Sequence, residues 1–335
     1  MKAIRIEAPG GLDRLRLVEM AYAAEPGPGE IRVRLRASSL NFHDYGVVTG
    51  RMPSEDGRIP MSDGAGSVEA VGDGVTEFAV GDMVVSCFFP DWQAGPAATD
   101  NFARTPGDGI DGYAREAVTT PASWFTKAPA GWSFEEAATI TTAGLTAWRA
   151  LVVNGGIKPG DTVLTLGTGG VSIYALQLAK AAGATVIQTS SSDEKLERAK
   201  QLGADHLINY RSTPAWSATV RELTGGRGVD HVVEVGGPGT LPQSIGSIAI
   251  GGHLSLIGVL TGFTGDIPTA FLMARQARLR GLIVGSRWDQ QQFVRALEAN
   301  RIRPVIDSSF GLADIAKAFA HQESGHHFGK ICLTY

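Results

Sequence analysis

The chain has 335 residues, and 30 Lys and Arg against 34 Asp and Glu leave a formal net charge of −4, so a general nucleic-acid role is not implied. No run of about 18 apolar residues offers a membrane span, and two cysteines, Cys87 and Cys332, provide neither a disulfide framework nor a cysteine-based metal cluster. Glycine, at 43 residues, is about twice its usual share of roughly 7% and marks many tight turns, because it sits between strand-like and helical runs.

Residues 1–6 alternate like a strand and contain no signal-peptide core. A cytoplasmic enzyme is the expectation. Ile31, Val33 and Leu35 alternate with Arg32, Arg34 and Arg36, the pattern of a half-buried strand. Residues 68–71 and 81–85 add short strands punctuated by glycine. Residues 89–111, rich in Pro, Gly, Asp and Ala, read as an exposed loop or lobe. From about Ser133 the texture changes. Residues 134–150 read as helical, and strand candidates follow at 162–166, 184–189, 206–208, 230–235, 253–258 and 280–284, alternating with helices such as 193–202. Such alternation at this spacing predicts a doubly wound parallel sheet. A helix near 312–322 and a final strand, 330–334, return to the first domain.

The most informative stretch is Gly167-Thr168-Gly169-Gly170. It follows the apolar run 163–166 and opens a helical segment in which Val171, Tyr174, Ala175, Leu178 and Ala179 share one face. Strand, glycine turn and helix in that order form the first unit of a dinucleotide-binding fold. The first glycine permits the turn, the second lets backbone approach a pyrophosphate, and the helix N-terminus offers N–H groups to that anion. The third fingerprint position holds Ser172. NAD-specific folds place a carboxylate about 20 residues after the first glycine, on the ribose 2′-hydroxyl. Here the second strand ends in Thr189-Ser190-Ser191-Ser192 with no carboxylate at that position. Hydroxyls and Lys195 instead suit a 2′-phosphate, which points to NADPH. Ser191 with Glu194 also reads as a helix capping box.

Several segments together resemble the medium-chain dehydrogenase/reductase superfamily, above all its zinc-free quinone-oxidoreductase-like and zinc-type alcohol dehydrogenase-like branch. They are Ser39-Leu40-Asn41-Phe42-His43-Asp44, residues 64–72, Ala143-Gly144-Leu145-Thr146-Ala147, Lys158-Pro159-Gly160-Asp161, Leu202-Gly203-Ala204-Asp205 and residues 225–230. The resemblance covers essentially the whole chain. It implies an α/β protein with a GroES-like β-barrel catalytic domain over 1–125 and 288–335. A Rossmann doubly wound parallel-sheet domain over 126–287 is implied with it, as is homodimerisation through the Rossmann sheet edge. It also implies that Tyr210 meets the 2′-phosphate. By the same resemblance the nicotinamide end lies against Val235, Gly236, Ile257, Gly258, Val259 and Gly285. Asn41, Thr142, Thr146, Phe328 and Lys330 border the cofactor, whose phosphates meet Gly167, Gly169, Gly170, Val171, Ser190, Ser191 and Lys195.

Many relatives hold a catalytic zinc through Cys, His or Glu, and Cys. This chain departs at each position: Asn41, Met61-Ser62-Asp63 and Thr141-Thr142 stand there, and the structural-zinc lobe retains only Cys87. A zinc site needs three or four suitable donors at one point, and only Asp44 and Asp63 remain, so no metal is expected. The pair His326-His327 reads as a solvated loop, since adjacent residues seldom chelate one ion. His43, beside Asp44, faces the expected active site and is open to a structural or a functional role.

Without a Lewis acid, hydride addition to a quinone or α,β-unsaturated carbonyl is the easier chemistry, because the developing oxyanion needs only oriented hydrogen-bond donors. The candidate catalytic residues are Asn41, whose amide NH₂ can donate, Asp44, which orients its neighbours, and Tyr45 as proton donor. The expected partner is a small-molecule substrate, with no nucleic acid or membrane. Two alternatives stand beside this reading. One is a metal-independent alcohol or aldehyde oxidoreductase. The other is an NADPH-binding structural or sensing protein with little turnover.

Overall fold

The computed structural model describes residues 1–99 and 101–335. The chain forms two compact units, Met1–Leu145 with Val284–Tyr335, and Thr146–Ile283. The dividing points lie at 145/146 and 283/284, against expected domain limits of 125/126 and 287/288.

The first unit is built on a seven-stranded sheet. Its path runs Ile306–Gly311, Lys330–Thr334, Glu30–Ser39, Ala65–Val71, Met83–Ser86 and Phe125–Lys127, and Ala117–Pro121 also pairs with Glu30–Ser39. The alternation in residues 31–36 is realised: Ile31, Val33 and Leu35 are buried, while Arg34 and Arg36 are exposed. They pack with Val68, Val84, Val118 and Phe125, each such apolar side chain contributing about 1.5–3 kcal/mol when fully buried. A second cluster joins Ile4, Ile6, Val47, Ile315, Phe319, Ile331 and Leu333. The C-terminal strand is thereby fixed in this unit, with Cys332 opposite Ser39 in antiparallel register.

Residues 89–111 hold no helix or strand among the described residues and are exposed over 93–98, as expected of a loop, but part of the segment is buried. Residue 100 lies outside the described residues. Of the others, Phe89 and Trp92 are buried and Thr105 is fully enclosed, because the aromatic side chains in this segment turn inward against one another. The helix expected over 134–150 is divided into an α-helix, Phe134–Ala138, a π-helical stretch, Ile140–Gly144, a short α-helix, Leu145–Trp148, and a second π stretch, Arg149–Asn154. The first π stretch contains Thr141 and Thr142, whose hydroxyls are tied to Ser86 and Asp63. Widened turns of this kind often mark functional positions.

The second unit holds a six-stranded sheet, all parallel, in the order His206–Asn209, Thr185–Ser190, Thr162–Thr165, Val229–Glu234, Ile248–Leu256, Arg278–Gly281. Numbered within this unit, the order is 3-2-1-4-5-6, the arrangement of dinucleotide-binding folds. The last two strands start earlier than expected, at 248 and 278. Gly251 and Gly252 had obscured the first of these starts and the alternating charges of Arg278 and Arg280 the second. Leu164, Ile187, Val232, Ile245 and Leu254 form the core between sheet and helices. Among the described residues, no helix is long and apolar enough to cross a membrane.

Candidate active site

In the second unit, the turn after Thr162–Thr165 carries the phosphate-binding features. Gly167 has a φ of 70°, a left-handed conformation that glycine adopts without strain. Gly169 caps the helix Gly170–Ala181 with an extended backbone. A Cβ built on either glycine would meet nothing within 4 Å. The turn therefore presents open space in front of a helix N-terminus, as a bound pyrophosphate needs, and the residues fit a dinucleotide. Ser172, at the third fingerprint position, donates to Leu166 O at 2.6 Å and ties helix to strand. The turn is braced by a residue that the sequence pattern did not single out. Gln188 is wholly buried, donates to Gly167 O at 2.5 Å and accepts from Thr165 Oγ at 2.7 Å. Its signal was a long polar side chain inside an otherwise apolar parallel strand.

At the end of Thr185–Ser190, the following helix is Asp193–Gln201 and its cap is Ser192, which accepts from Lys195 N at 3.3 Å. This corrects the expected Ser191–Glu194 box: the helix starts one residue later, and Lys195 occupies the position Glu194 was expected to fill. Ser190 Oγ accepts from Ser192 N at 3.3 Å. Tyr210 N donates to Ser190 O, which brings the tyrosine beside the strand end with its side chain 41% exposed.

Glu234 closes the fourth strand and is completely buried. It accepts from Gly236 N at 2.8 Å, Gly237 N at 3.0 Å, Thr240 Oγ at 2.6 Å and Ser244 Oγ. Sequence reasoning missed it, although a carboxylate two residues before a glycine pair is visible in the sequence. Gly236 and Gly258 were read as glycines that admit a coenzyme ring. The structure gives each a nearer cause. A Cβ on Gly258 would lie 1.8 Å from Val235 O, and one on Gly236 would lie 2.3 Å from Thr240 Oγ. Val259 is exposed, Ile257 half-buried and Thr146 buried.

In the first unit, a polar cluster forms where Glu30–Ser39 ends, at the start of the helix Phe42–Val48, with residues 62–63, the 140–144 turn and Lys330. Asn41 caps the helix in a capping box with Asp44. Asp44 accepts from Asn41 N at 3.0 Å, Asn41 Nδ2 at 3.0 Å and Ser62 N at 2.8 Å, so it orients its neighbours as expected. Asn41 Nδ2 also donates to Ser39 O at 3.2 Å, and Asn41 Oδ1 accepts from Lys330 Nζ at 2.6 Å. Both amide hydrogens are committed inside the protein. The expectation that Asn41 offers its NH₂ to a substrate oxygen is corrected on this ground. Lys330, expected beside the cofactor, is 4% exposed and spends its ammonium on Asn41, Leu40 O and the carboxylate of Asp63 at 3.9 Å.

Asp63 is fully buried and accepts from Ser39 Oγ at 2.5 Å and Thr142 Oγ at 2.6 Å. Burial pushes its pKa up to about 6, against the pull of Lys330 and the two hydroxyls. Burial lowers that of Lys330, with Asp63 opposing. Tyr45 is not part of this cluster. Its ring lies in the core against Phe319 and its hydroxyl donates to Glu323 at 2.6 Å. Burial, then Glu323, holds the phenol above its usual pKa. The expectation of Tyr45 as proton donor is therefore replaced by a packing role. Phe328 is buried and its N–H donates to Asp307 at 2.9 Å. Gly285 packs on Leu145, 3.1 Å from where its Cβ would lie.

One residue from Asp44, His43 Nε2 lies 3.0 Å from Asp108 Oδ2, with both side chains 12% exposed. The imidazole is tilted against Phe102 at 4.7 Å and edge-on to Phe88 at 5.3 Å. Its Nδ1 is buried without a hydrogen-bond partner among the described residues.

The residues do not fit a zinc ion. Among the described residues, no group of three His, Cys, Asp or Glu is placed to hold a metal. In the segments that the resemblance sets at the relatives' ligand positions stand the committed amide of Asn41, Met61-Ser62-Asp63, and Thr141-Thr142, whose hydroxyls are bonded to Ser86 O and Asp63. The two thiols, Cys87 and Cys332, are buried, and neither lies in a group of three donors able to hold an ion among the described residues.

Residues 27–130 match the alcohol dehydrogenase GroES-like domain and residues 170–299 the zinc-binding dehydrogenase domain. With these matches and the sheet order above, the chain belongs to the medium-chain dehydrogenase/reductase superfamily and is an oxidoreductase of that family. It is 42% identical over 331 residues, 96% of each chain, to a zinc-type alcohol dehydrogenase-like protein of Schizosaccharomyces pombe. A solved putative alcohol dehydrogenase from Sinorhizobium meliloti matches with TM-score 0.94 and 40% identity, covering 100% of this chain and 98% of that one. A quinone oxidoreductase from Pseudomonas syringae pv. tomato matches with TM-score 0.83 and 30% identity, covering 100% and 99%.

Proposed function

We propose that this protein is an NADPH-dependent oxidoreductase that delivers hydride to a quinone or α,β-unsaturated carbonyl without zinc. The observation that carries the reading is that Asn41, Asp63, Thr141 and Thr142, among the residues the resemblance sets at the relatives' ligand positions, are already bonded inside the protein. With no Lewis acid to polarise a simple carbonyl, the substrate must spread charge through its own conjugation. The likeness to a quinone oxidoreductase supports that class.

The nicotinamide coenzyme, when bound, supplies the hydride. Gly167, Gly169, Gly170 and Val171 would hold its pyrophosphate at the helix N-terminus. Ser190, Ser191, Lys195 and Tyr210 would hold the 2′-phosphate that distinguishes NADPH, since no carboxylate ends the second strand. Asp44, Asn41 and Lys330 set the backbone of residues 40–44 and 62 by their mutual bonds. A homodimer joined at the open edge strand Arg278–Gly281 completes the reading.

A metal-independent alcohol or aldehyde oxidoreductase is the second reading, favoured by Thr142. Its hydrogen is already given to Asp63, so its oxygen is left to accept a hydrogen bond from an alcohol. The test is a panel of quinones, enones, aldehydes and alcohols assayed with NADPH and NADH after chelation and metal analysis. Reduction of quinones or enones with NADPH at full rate is expected. Activity restricted to alcohols and dependent on added zinc would discard the proposal.

A further inference from the structure

Gln188 is the polar residue of the second unit that packing does not explain. Its neighbours on the strand Thr185–Ser190, Val186 and Ile187, are apolar and fully buried, and a buried amide is tolerated only where its hydrogen bonds are made. Gln188 makes them. It stands opposite Thr165 in the parallel register, and its Oε1 accepts from Thr165 Oγ at 2.7 Å. Its Nε2 donates to Gly167 O at 2.5 Å and to Thr189 O at 3.1 Å. A carbonyl oxygen only accepts, so these two contacts fix which end of the amide is nitrogen. The turn is held a second time, since Gly167 N donates to Thr189 Oγ at 3.4 Å. Both peptide groups of Gly167 are therefore tied to the second strand.

The tie decides what the turn shows to a ligand. The carbonyl of Gly167 and the N–H of Thr168 belong to one planar trans peptide and point opposite ways. A carbonyl drawn to the enclosed amide of Gln188 sends the Thr168 N–H away from the second strand. Among the described residues, neither Thr168 N nor Gly169 N has an acceptor in the protein. Gly167, at a φ of 70°, has the conformational freedom to let this peptide turn over, which would set a carbonyl oxygen against an anion. Gln188 removes that freedom.

We propose that Gln188 is a positioning residue for the coenzyme, holding the Gly167–Thr168 peptide with its N–H, rather than its carbonyl, toward the pyrophosphate. The proposal rests on the coenzyme placement given above. Gln188 is enclosed and acts through Gly167, not on the ligand. The pyrophosphate is common to NADPH and NADH, so Gln188 serves both alike, unlike Lys195. Thr165 and Gln188 also form a closed polar pair. Apolar side chains of the same shape at both positions leave no unpaired partner between them, so the fold can spare the pair while the turn cannot.

Wild type, Gln188→Met and the double variant Thr165→Val with Gln188→Met are compared as full-length proteins, by thermal melts and by calorimetric titration with NADPH, NADH and ADP-ribose. ADP-ribose carries the pyrophosphate without nicotinamide or 2′-phosphate. Both variants should bind all three at least about tenfold more weakly and by a common factor, as when a donor to a charged group is lost. The double variant should melt close to wild type, and it decides the matter if Gln188→Met fails to fold. Unchanged affinities overturn the proposal, and so does a loss confined to NADPH. A double variant that melts well below wild type or does not fold also overturns it, because the pair then belongs to the fold. Wild-type protein that binds none of the three ligands fails the coenzyme placement itself and the proposal with it, whereas tight wild-type binding matched by the variants fails the proposal alone.

Discussion

Lys330 Nζ sits 2.6 Å from Asn41 Oδ1, and that contact decides which way the amide faces. With its oxygen turned to the ammonium, its nitrogen must donate to Asp44 and Ser39. The same lysine stands 3.9 Å from Asp63, so one buried cation serves an amide and a carboxylate.

Replacing that cation steepens the dependence of stability on pH. In the folded protein the pKa of Asp63 is about 6, against 3.8 for the free side chain. The folded chain therefore holds the proton more tightly, and the stabilisation from this group is full below about 4 and lost as pH rises through about 6, a span worth roughly 3 kcal/mol. Lys330→Met removes the nearest compensating charge. Its Tm should fall below wild type by more at pH 8 than at pH 5, with a loss at the higher pH of about 3–5 kcal/mol, as for a broken buried pair. Thermal melts across that range check it. An equal deficit at both pH values would remove Asp63 as the cause.

Gly169→Ala separates folding from coenzyme capture. Gly169 has a φ of −78° and an open Cβ direction, so alanine fits the backbone. Stability should stay within about 0.5 kcal/mol, while the new methyl stands where a pyrophosphate approaches. Calorimetric titration with NADPH should show at least tenfold weaker binding; unchanged affinity would move the phosphate site elsewhere.

Lys195→Ala addresses coenzyme choice. Loss of one hydrogen bond to a charged group costs about 1.5–3 kcal/mol. KM for NADPH should therefore rise roughly tenfold or more while KM for NADH stays level. The measurement is a pair of saturation curves at fixed ionic strength. Parallel rises for both coenzymes would show that Lys195 acts on something common to them.

Tyr45→Phe tests the packing role. It deletes the hydroxyl given to Glu323 and nothing at the polar cluster. A loss of about 1 kcal/mol in stability is expected, with kcat within twofold of wild type. A large fall in kcat at unchanged Tm would restore Tyr45 to the chemistry.

What the sequence disclosed followed the range of the interactions. The turn at 167–170, its strand and its helix are local, and periodicity with glycine placement located them. The parallel sheet followed from alternating elements, whereas the order of its strands is seen only in the structure. The helix cap was displaced by one residue because Ser190, Ser191 and Ser192 can each cap, and only the bond from Lys195 N selects Ser192. The donor role given to Asn41 failed for a different reason. The partner that fixes its amide lies 289 residues further on, a separation at which no local pattern speaks. Asp63 was visible only as a leftover carboxylate, since its partners Ser39, Thr142 and Lys330 come from three distant segments. Glu234 was overlooked because attention to the glycines after it hid the carboxylate that gathers them.

That carboxylate has a consequence for ligand capture. Its four donors all come from residues 236–244, so the loop following the fourth strand is held by the protein's own bonds. Immobilising a side chain or loop on association costs about 0.5–1.5 kcal/mol for each freedom lost, and here that freedom was surrendered during folding. A ligand reaching this strand end would not have to order that loop.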